Sequence, residues 1–536
     1  MAALLQKPGL NRERVSLVAI LLLALVLRLI NLSSRNLWYD EAFAVLYAEK
    51  SFSAILYGTI TQVEGAAADV HPLLYYFFLH LWMGLFGQSP FVVRLPSLIF
   101  GLASIVLAFS IGRELFDSSA GLLAAVLIAI APFHINYSQE NRMYSLLCLL
   151  SLLTVYFFVR CWKGGGYGNW LGFIVAATLS LYTHNLAFLV ILALDLFVLG
   201  MVLSWIKGKK WGTPPHLRPD GVIRCWRLLR PLIVSHLAFG LLFSPWLTVV
   251  FSQFSKIRQA YWVPPPGLKE LVQTLIFFHF DLLPTMPLGL VSVLLFISLL
   301  ILVLTLYRVV RVGGRDRQTE EGIYLLLTLT LAPVIVAFLI SQFKSIYIIR
   351  GLLPAAATYY ILVAKILAEA QLPARFPKRV TWLLLSPVIV LLVISLAYHY
   401  TYAEFPRSPF DKAMTYLWEN YQSGDAIVHD NKLTFLPCHY YNRELPQAFM
   451  ADPPGSGSDT LALPTQQALG LLASQTMEEA IAGSQRVWFV IFQRAFAEYE
   501  ELGYPQPPHK AWLEERYRLV ETVTFNDLNI YRYEAP

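Results

Sequence analysis

Apolar stretches long enough to cross a bilayer recur from "VSLVAILLLALVLRLINL" (15–32) to "VTWLLLSPVIVLLVISLAYHY" (380–400), and they leave this chain few ways to fold. A spanning helix needs roughly 17–25 mostly apolar residues. In lipid, each segment must satisfy its own backbone N–H and C=O groups, so this part of the chain has to be a helical bundle. Charged residues are 14% of the 536, against about a quarter in soluble domains, in keeping with a chain solvated mostly by lipid. The first run is no cleavable signal, because it lacks a small-residue cleavage site and further spans follow at once.

Lys and Arg set the orientation. "IKGKKWGTPPHLRPDGVIRCWRLLR" (206–230), "YRVVRVGGRDRQTEEG" (307–322) and "PARFPKR" (373–379) are basic, and Lys7, Arg12 and Arg14 precede the first helix. The positive-inside bias assigns these segments and the N-terminus to the cytoplasm of a plasma (inner) membrane. Counting back, "VRCWKGGG" (159–166) and "GRELFDSS" (112–119) are inside, while "HINYSQENRMY" (134–144) and "GQSPFVVR" (87–94) are outside. The apolar segment "PLLYYFFLHLWMGLFG" (72–87) then begins and ends on one side, so it reads as an interfacial, juxtamembrane helix. The expectation is about eleven crossings, ending outside.

The net charge of +6 resides in these loops, so it reports topology and not a nucleic-acid stripe; no nucleic-acid partner is expected. Beyond residue 400 the composition becomes ordinary. β-type runs "GDAIVHD" (424–430), "RVWFVIF" (486–492) and "LVETVTFNDLNIYRYE" (519–534) alternate with helical patterns, and a loop, "DPPGSGSD", interrupts them. The division expected is a membrane part, 1–400, with a first external loop at 33–92, and a small external α/β domain at 401–536. Of four cysteines, Cys148, Cys161, Cys225 and Cys438, only the last is placed outside, which excludes an internal disulfide framework there.

Polar groups gather on the outer side. "SRNLWYDEAFAVLYAEK" (34–50) sets Asp40 and Glu41 beside Trp38, Tyr39 and Phe43. Aromatics anchor at headgroup depth, where desolvation raises a carboxylate's basicity and its oxygens can ligate a hard cation. Interfacial solvation of a helix end is the plainer reading. Asp69 and His71 precede the interfacial helix, and Asp69 reads equally as its cap. "NYSQENRMYSLL" brings Glu140 and Arg142 between Tyr137 and Tyr144, either as an internal ion pair or facing a cavity. "YTHN" (182–185) adds His184, and "SPWL" and "QAYWVPPPG" add further polar helix ends. Arg350 stands in an apolar run, snorkelling or forking onto a lipid phosphate. Asp195 is the only acid deep in a span.

No P-loop and no G-x-G-x-x-G is present, and the acidic face points away from cytoplasmic nucleotides. A donor already in the membrane with its activation attached, a polyprenyl-phosphate sugar, meets the requirement. The phosphate leaves, cations stabilise its charge, and a carboxylate takes the acceptor's proton. One base and one leaving group make a single displacement, hence inversion.

"LWYDEA", "HPLLYY", "VRLPS", "YSQENRMYSLL" and "YWVPPP", in this order, resemble the family 39 glycosyltransferases. These are polytopic GT-C enzymes related to protein O-mannosyltransferases and lipid A aminoarabinose transferases. The similarity runs from residue 15 to about 370 and is strongest over the first 150. It implies a GT-C helical fold, a large first external loop with juxtamembrane helices, and a catalytic acid after the first span. Asp40 would then be the catalytic carboxylate and Glu41 its partner. Glu140 would bind acceptor or metal, with Arg142 nearby on phosphate; position alone adds Asp69 and His71 as acceptor or metal candidates and Arg350, His184 and Tyr144 as donor-phosphate candidates. "HPLL" departs from the family's "HPPL", which leaves the role of His71 open. Metal dependence varies across such relatives, so a divalent ion on Asp40, Glu140 and His71 is allowed but not required. The implied acceptor is a lipid, glycan or protein. A transporter or lipid flippase is the alternative; it requires acids buried mid-span and two symmetric halves, neither of which the sequence displays.

Overall fold

The computed structural model describes residues 8–63, 66–206, 221–259, 265–312, 317–369, 378–452 and 461–536. The loop signals at 207–220, 313–316 and 370–377, most of "YWVPPP" and most of "DPPGSGSD" lie outside them. The chain starts with α1 (Pro8–Leu29), α2 (Tyr39–Ala48), α3 (Phe52–Ile60), a two-residue hairpin pair β1 (Gln62–Val63) and β2 (Ala66–Ala67), and α4 (Leu74–Phe86). It continues with α5 (Pro90–Leu115), α6 (Ser118–Ile130), α7 (Pro132–Ser138), α8 (Tyr144–Trp162), α9 (Tyr167–Thr183) and α10 (Phe188–Ile206). Next come α11 (Gly221–Gln259), α12 (Leu268–Phe277), α13 (Leu288–Val312), α14 (Arg317–Ser341), α15 (Leu353–Ala368) and α16 (Lys378–Thr401).

These elements fall into two compact units. One holds Met1–Ile30, Arg94–Thr248 and Val263–Thr401; the other holds Asn31–Val93, Val249–Trp262 and Tyr402–Pro536. Among the described residues, seven helices are long and apolar enough to cross a membrane, and the bent pair α6–α7 would be an eighth. The more charged α1, the 17-residue α9 and α16 are the remaining candidates for the crossings that the loop charges require. α4, at 13 residues, is too short to span.

In the membrane unit, α6 and α7 meet at 65°, and the sequence explains the break. Pro132 has no N–H for the carbonyl of Ile128 and cannot continue the helix. The orphaned carbonyls are taken by Arg28, a fully buried guanidinium in the first span. Its Nη1 donates to Ala129 O at 2.9 Å and its Nη2 to Ile128 O at 3.1 Å. A cation also suits the negative end of a helix dipole. Nη2 lies 3.0 Å from His134 Nδ1, which therefore accepts and leaves the ring proton on Nε2. The end of α1 is stitched in the same way: Tyr400 donates to Leu27 O at 2.6 Å, and Gln139 Nε2 donates to Arg28 O and Ile30 O at 2.9 and 2.6 Å. Nearby, α5 and α6 pack through Gly112 and Gly121, where a Cβ on Gly121 would come within 2.6 Å of Phe109 O.

In the second unit, α2 buries every residue from Glu41 to Ala48. Phe43, Tyr47 and Tyr76 pack ring on ring, at 5.1 Å for Phe43–Tyr47 and 5.2 Å for Tyr47–Tyr76. His80 of α4 bonds to Ala48 O at 2.8 Å. The C-terminal part carries α17 (Phe410–Asn420), β3 (Ala426–His429), α18 (Lys432–Tyr441), β4 (Gln447–Phe449), α19 (Leu463–Leu469) and α20 (Met477–Ile481). It ends with β5 (Arg486–Phe492), α21 (Arg494–Glu501), α22 (Pro508–Arg516), β6 (Arg518–Phe525) and β7 (Leu528–Glu534). The sheet order is β4-β3-β5-β7-β6; β4, β3 and β5 run parallel, and β7 and β6 are antiparallel neighbours. Strand β5 is buried from Val487 to Phe492, as a central strand covered on both faces must be. The run 519–534 is a hairpin turning at Asn526, whose φ is 56°. Cys148, Cys161 and Cys438 are free and buried.

Replacing Arg28 by Met keeps the volume apolar but strands two buried carbonyls. The expected cost is on the order of 3 kcal/mol, read as a lowered unfolding midpoint in detergent; an unchanged midpoint contradicts this account of the bend.

Candidate active site

Asp40 and Glu41 form the first turn of α2, where the helix dipole favours negative charge. Glu41 is 2% exposed; Asp40 is half-buried. Trp38, the residue before the helix, is extended and supplies no side-chain cap. Asp69 does not cap α4, which follows Leu73 without a side-chain cap. Its Oδ1 instead accepts from the N–H groups of Val70 at 2.6 Å and His71 at 3.3 Å, and it faces His71 Nδ1 at 2.9 Å. The carbonyl of Asp69 accepts from Gln253 at 3.0 Å. Asp69 thus fixes a turn and the plane of the His71 ring. Tyr47 is fully buried and donates to Ile55 O at 2.8 Å; burial, reinforced by the negative charge of Asp69, raises its pKa well above the usual tyrosine value.

In the membrane unit, "SQENRMY" joins α7 to α8 in a tight, buried turn. Glu140, Asn141 and Arg142 are at most 8% exposed. The N–H of Arg142 bonds to Glu140 O at 2.8 Å, and Ser97 donates to Arg142 O at 3.4 Å. Tyr144 opens α8, with its ring 5.4 Å from Tyr137 and 5.7 Å from His184. Arg350 does not simply snorkel: its guanidinium stands 5.1 Å over the Tyr144 ring. Tyr137 lies within electrostatic range of Glu140, Arg350 and Asp281. His184 caps the short turn Asn185–Ala187, accepting from Leu186 N–H at 3.0 Å through Nδ1, so its Nε2 carries the proton. The structure therefore brings Glu140, Tyr144, His184 and Arg350 into one neighbourhood, with Arg142 two residues from Glu140. Among the described residues no three His, Cys, Asp or Glu side chains gather in a metal-holding group, so no step is derived through an ion.

Three members of this neighbourhood had not been singled out. His399, near the C-terminal end of α16, faces Asp281 Oδ2 at 2.7 Å through Nδ1 and Gln139 Oε1 at 3.2 Å through Nε2. The amide of Gln139 is fixed by the two α1 carbonyls its Nε2 serves, so Oε1 must be an acceptor. The result is a buried histidine–aspartate pair in which Nε2–H donates to Gln139 Oε1 and a hydrogen bridges Nδ1 and Asp281 Oδ2, the side chains being 0% and 8% exposed. Asp281 is held further by its own N–H on Ser395 Oγ at 2.7 Å and by Leu282 N–H on Oδ1 at 3.0 Å.

With this geometry in view, the comparisons have a definite meaning. Residues 70–212 match the family described as dolichyl-phosphate-mannose-protein mannosyltransferase. ArnT from Cupriavidus metallidurans, solved bound to undecaprenyl phosphate, superposes with a TM-score of 0.60 at 13% identity, covering 96% of this chain and 97% of that one. The fold is that of the GT-C glycosyltransferases. The oligosaccharyltransferase AglB from Archaeoglobus fulgidus, solved with an inhibitory peptide and a dolichol-phosphate, has the same GT-C architecture: TM-score 0.55, 14% identity, 97% of this chain and 74% of that one. Among curated proteins, the dolichyl-diphosphooligosaccharide–protein glycosyltransferase subunit STT3B of Oryza sativa subsp. japonica is 38% identical over 78 residues, or 14% of this chain. The chain spans about 10% of the length of that relative.

Removing the imidazole while Asp281 stays strands a buried carboxylate. His399→Ala should cost about 3–5 kcal/mol, and His399→Ala with Asp281→Ala should recover part of that loss. A four-protein thermal-unfolding cycle checks the coupling, and strictly additive changes contradict the pair.

Proposed function

We propose that this protein transfers a glycosyl group from a polyprenyl-phosphate-linked donor to an acceptor at the outer face of the membrane, with inversion. The observation that carries the reading is an acid pair, Asp40–Glu41, opening a helix just beyond the first span of a GT-C fold. The reading assigns catalysis to residues 1–400, sets the N-terminus in the cytoplasm of a plasma membrane, and leaves 401–536 outside.

Asp40 is the base in this scheme. Being half-buried, it stays open to an acceptor that arrives from solvent. It takes the acceptor's O–H proton as that oxygen attacks the anomeric carbon, and the bond to the phosphate oxygen breaks with its electron pair going to the phosphate. Arg142 and Arg350 neutralise the departing charge, with Tyr144 holding the Arg350 guanidinium in its plane and the His184 Nε2–H as a further donor. Glu41 keeps the first turn of α2 acidic, and Glu140 with the Asp69–His71 pair serves the acceptor. A single displacement inverts the anomeric centre. Acceptors of the lipid, glycan and protein classes all present the hydroxyl that this chemistry needs. The transporter alternative has no comparable carrier: Asp195, deep in α10, is answered by His236 of α11 at 3.0 Å.

Asp40→Asn keeps size and hydrogen bonding and removes the base. It should lower kcat by about 10²–10⁴-fold while the detergent-solubilised protein keeps its unfolding midpoint. Full activity in a folded Asp40→Asn protein would remove this mechanism.

A further inference from the structure

The approach to helix α2 is held from outside the helix. Trp38 offers no side-chain cap, although the residues before a helix carry N–H groups that need acceptors. The acceptors come from the α/β part of the same unit. The N–H of Leu37, which is fully buried, donates to the hydroxyl of Tyr441 at 2.8 Å. Asn36 Nδ2 donates to Asp411 Oδ1 at 2.7 Å. The Trp38 ring meets Phe405 edge-on at 6.0 Å, and Phe405 is wedged between Phe492 of β5 at 5.4 Å and the Arg494 guanidinium at 3.8 Å. Three consecutive residues, 36 to 38, are thus gripped immediately before α2, whose second residue is Asp40.

The other end of α2 is held by the same part of the molecule. Glu49, which closes α2, accepts from Arg443 Nη2 at 2.9 Å. Arg443 lies two residues beyond Tyr441, so the end of α18 and the loop after it bracket α2 from before its first turn to its last. Tyr440 anchors this bracket by donating to Gln88 O at 2.6 Å. A tyrosine hydroxyl fixed at the end of a packed helix sets the register of the main chain two to four residues from the acid pair. An exposed loop could not do so.

We propose that the α/β part, residues 402–536, is a positioning device for Asp40 and Glu41, acting through Tyr441, Asp411 and Phe405. This rests on the reading of Asp40 as the base. None of the three touches the reacting atoms; each fixes where the first turn of α2 begins, and with it the distance from carboxylate to acceptor.

The test uses the full-length protein in lipid nanodiscs. Tyr441→Phe keeps the ring and removes only the accepting oxygen. It should speed hydrogen–deuterium exchange at the Leu37 amide and lower kcat about tenfold, with the KM for the lipid-linked donor unchanged. Asp411→Leu, at an exposed position, should lower kcat in the same way, and Asp411→Asn, which retains Oδ1, should restore it. Exchange at Leu37 that does not change in Tyr441→Phe overturns the grip whatever Asp40 does. Faster exchange with wild-type kcat overturns its catalytic meaning. Asp40→Asn in the same preparation keeps the two failures apart: if that variant is active, the reading of Asp40 fails, while the exchange data still judge the grip.

Discussion

The membrane unit depends on how the first span ends. A helix that stops leaves its last carbonyls with no donor of their own, and α1 meets this with side chains from distant helices. Tyr400 and Gln139 serve its last carbonyls, while Arg28 serves the carbonyls that Pro132 strands at the α6–α7 break. An arginine inside a span costs about 2.5–3.5 kcal/mol on insertion scales. That cost is offset only because four acceptors surround it: Ala24 O, Ile128 O, Ala129 O and His134 Nδ1.

The polar neighbourhood around Glu140 inherits its geometry from this arrangement. Gln139 is both the cap of α1 and the partner of His399, so the turn carrying Glu140 and Arg142 is fixed at its first residue by α1, α16 and, through Asp281, the segment after α12. A buried network of this kind is stable only when every member is satisfied, and the chain of contacts leaves little freedom in where Arg142 and Glu140 stand. The second unit solves the parallel problem for Asp40 by fixing α2 at both ends. In each case the segment that carries the charged groups, a tight turn for Glu140 and Arg142 and a helix start for Asp40, is tied to packed elements, as preorganised electrostatic catalysis requires.

Much of the architecture could be read from residue patterns, because lipid and helix geometry allow few solutions. Recurrent apolar runs predict a bundle of long apolar helices, which the structure has, and parity predicts a non-spanning 72–87, where α4 is a short apolar helix of 13 residues. Two of the three β-type runs are single strands and the third is the β6–β7 hairpin; the short β4 escaped notice because three residues carry no period. Arg28 was passed over as part of an apolar run, since its purpose appears only when Pro132 is seen to break a helix more than a hundred residues later. The His399–Gln139 contact joins positions 260 apart, a separation at which no local pattern exists. The cohesion of residues 31–93 with 402–536 in one unit is invisible for the same reason.

The claim on which the functional account stands is that the sugar arrives on a lipid phosphate. The most direct measurement supplies the purified protein in proteoliposomes with polyprenyl-phosphate sugars and, separately, with nucleotide sugars, following donor loss and the anomeric configuration of the product by NMR. The account predicts that only the lipid-phosphate donors are consumed, with release of polyprenyl phosphate and inversion at the anomeric carbon. Turnover of a nucleotide sugar with the lipid-phosphate donors left intact, or a product that retains the donor's configuration, would contradict it.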